Sequence, residues 1–205
     1  MPASQPRLIL ASSSIYRQQL LSRLQLPFDA VAPEIDERPA AGERPEATAL
    51  RLARHKAETI RLTVGNALII GSDQVATLDD RQIGKPGSHP QALAQLQMMR
   101  GRQVVFHTAL CLLDGRDQAA APCQLEEVRT RVTFRDLPDA ELDAYLHIEK
   151  PYDVAGSAKN EGLGIAIIEK IESDDPTALT GLPLITLCGM LRRAGVQFFR
   201  SPPAN

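Results

Sequence analysis

Between Pro45 and Val64, apolar side chains fall at Leu50, Ala53, Ala57, Ile60 and Val64, at intervals of 3, 4, 3 and 4. That period lays one stripe of an α-helix against a core. Pro45 suits a first helical turn, where its missing N–H costs nothing. Just beyond, the uninterrupted run Ala67-Leu68-Ile69-Ile70 enters Gly71-Ser72-Asp73. A continuous apolar run of that length reads as a buried strand, and here as one that stops at a polar edge. A one-sided helix feeding a buried strand demands a sheet with helices packed on it.

The remaining elements extend this picture. Residues 7–11 read as a short buried strand, with Ser12, Ser13 and Ser14 as N-cap candidates for a helix over 15–25. Residues 28–32 predict a second strand. Asp79-Asp80 form a turn, residues 84–87 a loop, and Ser88 with Pro90 opens a helix through about residue 100. Residues 103–113 and 125–134 predict long antiparallel strands around an Asp114-Gly115 turn. In the second, Val128, Thr130, Val132 and Phe134 alternate with Glu127, Arg129, Arg131 and Thr133, so one face is wet. Helices over 137–148 and 183–194, the latter closed by Gly195, flank a strand at 163–171. The order implies an α/β or α+β protein with helices around a mixed sheet. With 205 residues against roughly 150 per domain, one domain over 1–200 is expected, built as two lobes, with 201–205 as a tail.

Charge and composition exclude several functions. Twenty-three Lys and Arg against 25 Asp and Glu give a net charge of −2, so no global basic field recruits nucleic acid or a membrane surface. Five Phe, three Tyr and no Trp argue against a stacking platform for single strands. No apolar run approaches the ~20 residues of a membrane span, and the stretch Leu8 to Ala11 is too short for a signal-peptide core, so a cytoplasmic location is expected. Cys111, Cys123 and Cys188 form neither a disulfide framework nor a zinc knuckle. Cys111 and Cys188 read as small core hydrophobes. His55, His89, His107 and His147 show no metal-ligand spacing, and His107 reads as a core or edge residue.

Polar clusters collect where strands end and helices begin. Ser12-Ser13-Ser14-Ile15-Tyr16-Arg17 offers a helix N-terminus, hydroxyls and a guanidinium, either as a phosphate cradle or as a plain N-cap beside an exposed Arg. Glu34-Ile35-Asp36-Glu37 is either a divalent-cation or water-steering loop or a solvated acidic turn. Asp73, at the end of an apolar strand, suits a catalytic acid or base; an Asx-type turn is the structural alternative. Lys85 in Gly84-Lys85-Pro86 and Lys56 on the long helix are phosphate counter-charges or surface lysines. Residues 155–164 carry three glycines that let backbone approach a ligand closely. No Walker A, Gly-x-Gly-x-x-Gly or Gly-x-Ser-x-Gly pattern occurs.

The order of these clusters along the chain is more specific than any one of them. Leu8-Ile-Leu-Ala-Ser-Ser-Ser-Ile-Tyr-Arg17, Leu20-Leu21, Ile35-Asp36-Glu37 and Leu52-Ala-Arg-His-Lys56-Ala57 are followed by Gly71-Ser-Asp73-Gln74 and Gly84-Lys85-Pro86. Ala155-Gly156-Ser157 and Thr180-Gly-Leu-Pro183-Leu184 complete the series. Over residues 7–195 the chain resembles the Maf family of nucleotide pyrophosphatases. It is most similar to the branch that hydrolyses 7-methyl-GTP, marked by an aromatic at Tyr16, by Gln74 and by Glu161. Ile15 stands where the family usually has proline, and Tyr16 where the branch more often has tryptophan. An Arg at position 16 and a Gln at 161 would have matched the sister dTTP/UTP branch.

The resemblance implies a Maf/inosine-triphosphatase-like α/β fold, an elongated mixed twisted sheet with a cleft between two lobes. It implies cleavage of the α–β phosphoanhydride of a nucleoside triphosphate to the monophosphate and diphosphate. It makes Asp73 the proton acceptor, and Ser12, Arg17, Lys56 and Lys85 the phosphate ligands. Tyr16, Gln74 and Glu161 would read the base, and Glu37 would place a divalent cation (Mg, Mn or Co). The implied partner is a small nucleotide, with no nucleic acid or membrane, and a homodimer is left open. A dTTP/UTP pyrophosphatase and a non-catalytic nucleotide sensor in septum formation are the alternatives; retention of Asp73 with all the cationic positions favours an enzyme.

Overall fold

The computed structural model describes residues 6–116 and 122–199; the tail expected at 201–205 lies outside the described residues. One seven-stranded sheet has the order β2-β1-β3-β5-β6-β7, with β4 pairing β3 off that path. β1 (Arg7–Leu10) lies parallel to β2 (Asp29–Ala30) and to β3 (Ala67–Leu78). β4 (Arg81–Ile83) and β5 (Gln103–Asp114) pair antiparallel with β3. β6 (Cys123–Phe134) pairs antiparallel with β5, and β7 (Ile168–Ser173) with β6. The parallel pairs are joined by helical crossovers, α1 (Ile15–Ser22) and α2 (Pro45–Arg61), as parallel pairing requires. α3 (His89–Met99), α4 (Asp139–Glu149) and α5 (Leu184–Arg193) complete the helices among the described residues.

Three apolar clusters cover the sheet. Leu8, Leu10, Leu68, Ile70, Leu110 and Leu112 pack with α1 and α5, while Ile9, Ile69, Ala109 and Cys111 point the other way, toward Ala49, Ala53, Ala57 and Ile60 of α2. That alternation is the period of two of strands buried on both faces. The third cluster joins Leu96 and Met99 of α3 and Leu142 and Leu146 of α4 to Phe106, Val132 and Phe134. The contact of α2 with the sheet is unusually close: a Cβ on Gly71 would meet Ala53 O at 2.0 Å and Ala57 N at 3.0 Å. Only a glycine lets the helix lie this low. No helix among the described residues is long and apolar enough to cross a membrane.

Several expectations are corrected. The strand that starts at Ala67 does not stop at Ile70 but continues to Leu78, so Asp73 is a mid-strand residue. The polar side chains that mimicked an edge are satisfied inside the fold; Ser72 Oγ, for example, reaches Ala109 O at 2.9 Å and Gly181 O at 2.8 Å. The strand expected at 163–171 divides into a 3₁₀ segment, Leu163–Ile167, and β7. The strand expected at 28–32 pairs over two residues only, and α1 ends at Ser22. Cys111 is buried as expected, whereas Cys188 is only half-buried. Asp79 and Asp80, with φ of 49° and 61°, make the two-residue turn between β3 and β4.

Candidate active site

The β1–α1 junction, β3 and the loop before α2 open onto one cleft of about 610 Å³. Its lining includes Ser12, Tyr16, Arg17, Glu37, Lys56, Asp73, Gln74 and Lys85. Glu161 is exposed and is not among the lining residues. Lys56, which sequence alone leaves as a possible surface lysine, is 5% exposed. Its Nζ lies 2.6 Å from Asp73 Oδ1 and 2.7 Å from Glu37 Oε1. The low seat of α2 on Gly71 produces this contact, because Lys56 precedes Ala57 on the helix and Asp73 follows Gly71 by two residues on the strand. An ammonium has three donors, so it can bridge both carboxylates and still reach a third anion.

Glu37 is pushed upward in pKa by burial. The hydrogen bond from Lys56 and the charges of Lys56, Lys85 and Arg17 outweigh that and hold it below the usual glutamate value. It is therefore ionised at neutral pH. Lys85 is exposed on the 84–87 loop at the rim. Two oxygens, one each from Glu37 and Asp73, already converge on a single cationic nitrogen. This hard-oxygen donor set fits a divalent cation of the Mg²⁺ or Mn²⁺ kind.

Arg17 stands in the first turn of α1, whose N-cap Ser14 accepts from Arg17 N at 3.4 Å. Ser12 Oγ accepts from Ser14 N at 3.1 Å, so the serines cap the helix and line the cleft together. Arg17 Nε donates to Gly181 O at 2.9 Å, the same carbonyl that Ser72 reaches. This leaves the terminal guanidinium nitrogens as donors for a ligand. Burial lowers the Arg17 pKa, opposed by the charges of Asp73 and Glu37. Gly181 has φ +101°, and a Cβ there would stand 3.3 Å from Arg17 Nε. The conformation and the close approach both call for glycine.

Gln74 spends its amide nitrogen on Thr108 Oγ1 at 2.9 Å and on the carbonyls of Ala178 and Leu179 at 3.0 Å each. Its Oε1 is the polar atom it can offer to a ligand. Across the cleft, Lys159 Nζ lies 5.9 Å from the Tyr16 ring centroid and 3.5 Å from Asp153 Oδ1. Burial would lower the Lys159 pKa, but Tyr16 and Asp153 raise it. Asp153 is itself part of the lining.

Sequence reasoning assigned no role to Ser72, Gly181, Lys159 or Asp175. Gly181 lies in the Thr180-Gly-Leu-Pro183-Leu184 run, yet its partner Arg17 is 164 positions away, a pairing no spacing rule foretells. Asp175, 1% exposed, accepts from Thr177 N and Oγ1 through Oδ1, and from Ile185 N and Thr186 N through Oδ2. It thus ties the start of α5 to the 177–181 segment that carries Gly181. The fold also makes a grouping that the spacing of the histidines does not show. His89, Asp143 and His147 come together between α3 and α4, their ligand atoms all within 4.8 Å of one another. Asp143 and His147 are four apart on one helix, which is the signal that was available in the sequence.

A family model described as Maf-like protein matches residues 7–194. A protein named 7-methyl-GTP pyrophosphatase from Cupriavidus metallidurans is 65% identical over 196 residues, 96% of this chain and 97% of that protein. One of the same name from Burkholderia thailandensis is 64% identical over 204 residues, 98% and 93% of the two chains. Among solved structures, the Staphylococcus aureus Ham1 protein shares the fold, with TM-score 0.50 and 13% identity over 91% of this chain and 98% of that one.

Proposed function

The chain belongs to the Maf family, and from that premise we propose that it is a nucleoside triphosphate pyrophosphatase that converts 7-methyl-GTP to 7-methyl-GMP and diphosphate. The observation that carries the chemistry is the buried Lys56 bridging Asp73 and Glu37 on the wall of the cleft. It supplies a base candidate, a cation and a metal-binding carboxylate within one hydrogen-bonded group.

In this reading, the triphosphate lies along the α1 N-terminus. Ser12, the backbone N–H groups and the Arg17 guanidinium meet the phosphate oxygens, with Lys56 and Lys85 as point charges. The Gly181 carbonyl holds Arg17 Nε, so the fork is oriented before substrate arrives, which limits the ordering cost of binding. Asp73 accepts the proton of the attacking water. A P–O bond to that oxygen forms, the α–β anhydride bond breaks, and the electron pair leaves on diphosphate. Lys56 keeps the Asp73 carboxylate aimed into the cleft. Glu37, with Asp73, would hold the divalent cation, which when bound offsets phosphate charge. Tyr16, Gln74 and Glu161 are proposed to read the base. N7-methylation gives guanine a positive charge, and the Tyr16 face is worth about 0.5–2 kcal/mol to such a cation. The reading includes a cytoplasmic location, where the protein would meet a nucleotide pool.

The test is diphosphate release by the purified protein across 7-methyl-GTP, GTP, UTP and dTTP, with wild type and Asp73→Asn. Wild type is expected to favour 7-methyl-GTP. Asp73→Asn should lose about 10²–10⁴ in kcat with KM changed little, since the amide keeps the shape but cannot accept the proton. Near wild-type turnover by Asp73→Asn would remove it from the mechanism, and a preference for UTP or dTTP would move the chain to the sister branch.

A further inference from the structure

Away from the cleft, His89 opens α3 while Asp143 and His147 lie one turn apart on α4. His89 Nε2 is 2.8 Å from Asp143 Oδ1, and His147 Nε2 is 3.4 Å from Asp143 Oδ2. The two imidazole centroids are 4.5 Å apart. Tyr152 sits behind His89. Its hydroxyl donates to Leu146 O at 3.2 Å and lies 3.0 Å from His89 Nδ1. Each ring nitrogen of His89 therefore has a polar neighbour, the Tyr152 hydroxyl at Nδ1 and the Asp143 carboxylate at Nε2. A histidine whose outer nitrogen is held by a hydrogen-bond partner, with its inner nitrogen beside a carboxylate and a second imidazole, is the arrangement of a metal ligand with its supporting shell.

We propose that His89, Asp143 and His147 form a second divalent-metal site, taking a borderline transition metal such as Zn²⁺, Co²⁺ or Ni²⁺, that clamps the start of α3 to the last turns of α4. Two imidazoles and one carboxylate are the ligand types these ions prefer over Mg²⁺ or Ca²⁺. His147 is 69% and Asp143 43% exposed at the side chain, so water completes the coordination and the ion enters directly from solvent. None of the three lines the catalytic cleft, yet the clamp reaches it. Gly87 N donates to Tyr152 O at 3.0 Å, and Gly87 closes the loop that carries Lys85. Binding thus steadies the rim from outside without contributing to the chemistry.

Titration with Co²⁺ alone, followed by its visible absorption and by calorimetry, tests the site in a Cys123→Ser background that removes an exposed thiol. The expected result is saturable binding with micromolar Kd, without thiolate charge-transfer bands, and a Tm that rises with Co²⁺. Made in the Glu37→Gln protein, where the cleft's metal carboxylate is gone, His89→Ala and His147→Ala should each weaken this binding by at least about tenfold and abolish the Tm rise. Glu37→Gln should leave it intact. His147 is exposed, so its removal does not threaten folding. Absence of saturable binding below about 1 mM, as expected if a proton alone bridges the pair, overturns the proposal. So does binding that Glu37→Gln removes, or that both histidine variants retain when made in the Glu37→Gln protein.

Discussion

Gly71→Ala adds a single methyl group to the protein and strikes at the contact that assembles the site. The new Cβ would lie 2.0 Å from Ala53 O, 3.0 Å from Ala57 N and 3.1 Å from Ala57 Cβ. Two of these are helix backbone atoms, which cannot rotate away. Ordinary contact begins at 3.4 Å, so if α2 takes all the strain it must retreat by about 1.4 Å. The Lys56–Asp73 separation, 2.6 Å at rest, would then approach 4 Å, too long for a hydrogen bond. Overpacking of this kind costs about 1–3 kcal/mol, and in a chain of this size each kcal/mol moves Tm by about 2–4 °C. Misplacing a catalytic group by about 1 Å costs about 10² in rate. We therefore expect Tm to fall by about 2–12 °C and kcat for 7-methyl-GTP by about 10². The control is Gly65→Ala, where an added Cβ meets nothing within 4 Å. Calorimetry and diphosphate release read the two effects. If Gly71→Ala matched Gly65→Ala in both, the close seat of α2 would not be what builds the site.

Asp175→Ala deprives four donors of one buried carboxylate, so it should cost about 2–4 kcal/mol, read as a lower midpoint in urea; an unchanged midpoint would show the segment is held by other contacts. Glu161→Gln should lower the kcat/KM ratio of 7-methyl-GTP over UTP while leaving turnover intact; an unchanged ratio places Glu161 outside base recognition. Glu43 is held at about 2, below its usual 4.5, chiefly by its hydrogen bond from Arg51 and then by the Ala40 N–H. A depressed folded-state pKa stabilises above the unfolded value and the benefit is lost as pH falls through the folded one. The Tm advantage of wild type over Glu43→Gln should therefore be full at pH 6, shrink below 4.5 and vanish near 2.

What could be read from the sequence was the part governed by local periodicity. The stripe on α2, the alternation of β6 and the Asp79-Asp80 turn each depend on neighbours within a few positions, and each formed where expected, except that α2 ends at Arg61 and leaves Val64 beyond it. The misreading of β3 has a different cause. Gly71-Ser72-Asp73 looks like a strand end because polarity normally marks the return to water. Here Ser72 and Asp73 are buried yet satisfied, by Ala109 and Gly181 in one case and by Lys56 in the other. Those partners come from β5, from the segment before α5 and from α2. The same limit hid Asp175, whose four donors lie ahead of it in the chain but only become neighbours when α5 docks. Family resemblance named positions that the cleft brings together, such as Lys56 and Lys85, but not the contacts that hold them.

The charge balance of the cleft explains why those contacts matter. Arg17, Lys56 and Lys85 bring three positive charges; Glu37 and Asp73 bring two negative ones, for a net of +1. Lys159 and Asp153 pair with each other and add nothing. A bound triphosphate carries about four negative charges near neutral pH, and the chain as a whole, at −2, supplies no field to offset them. In the proposed reaction, a divalent cation on the Glu37 side would bring the local sum close to neutral once a positively charged base is counted. That requires Glu37 to be ionised before the cation arrives, which is the state Lys56, Lys85 and Arg17 enforce. The buried lysine then has two tasks that pull in one direction: it helps keep Glu37 charged and it aims both carboxylates at the same point, the point that phosphate and metal would take over in the proposed reaction.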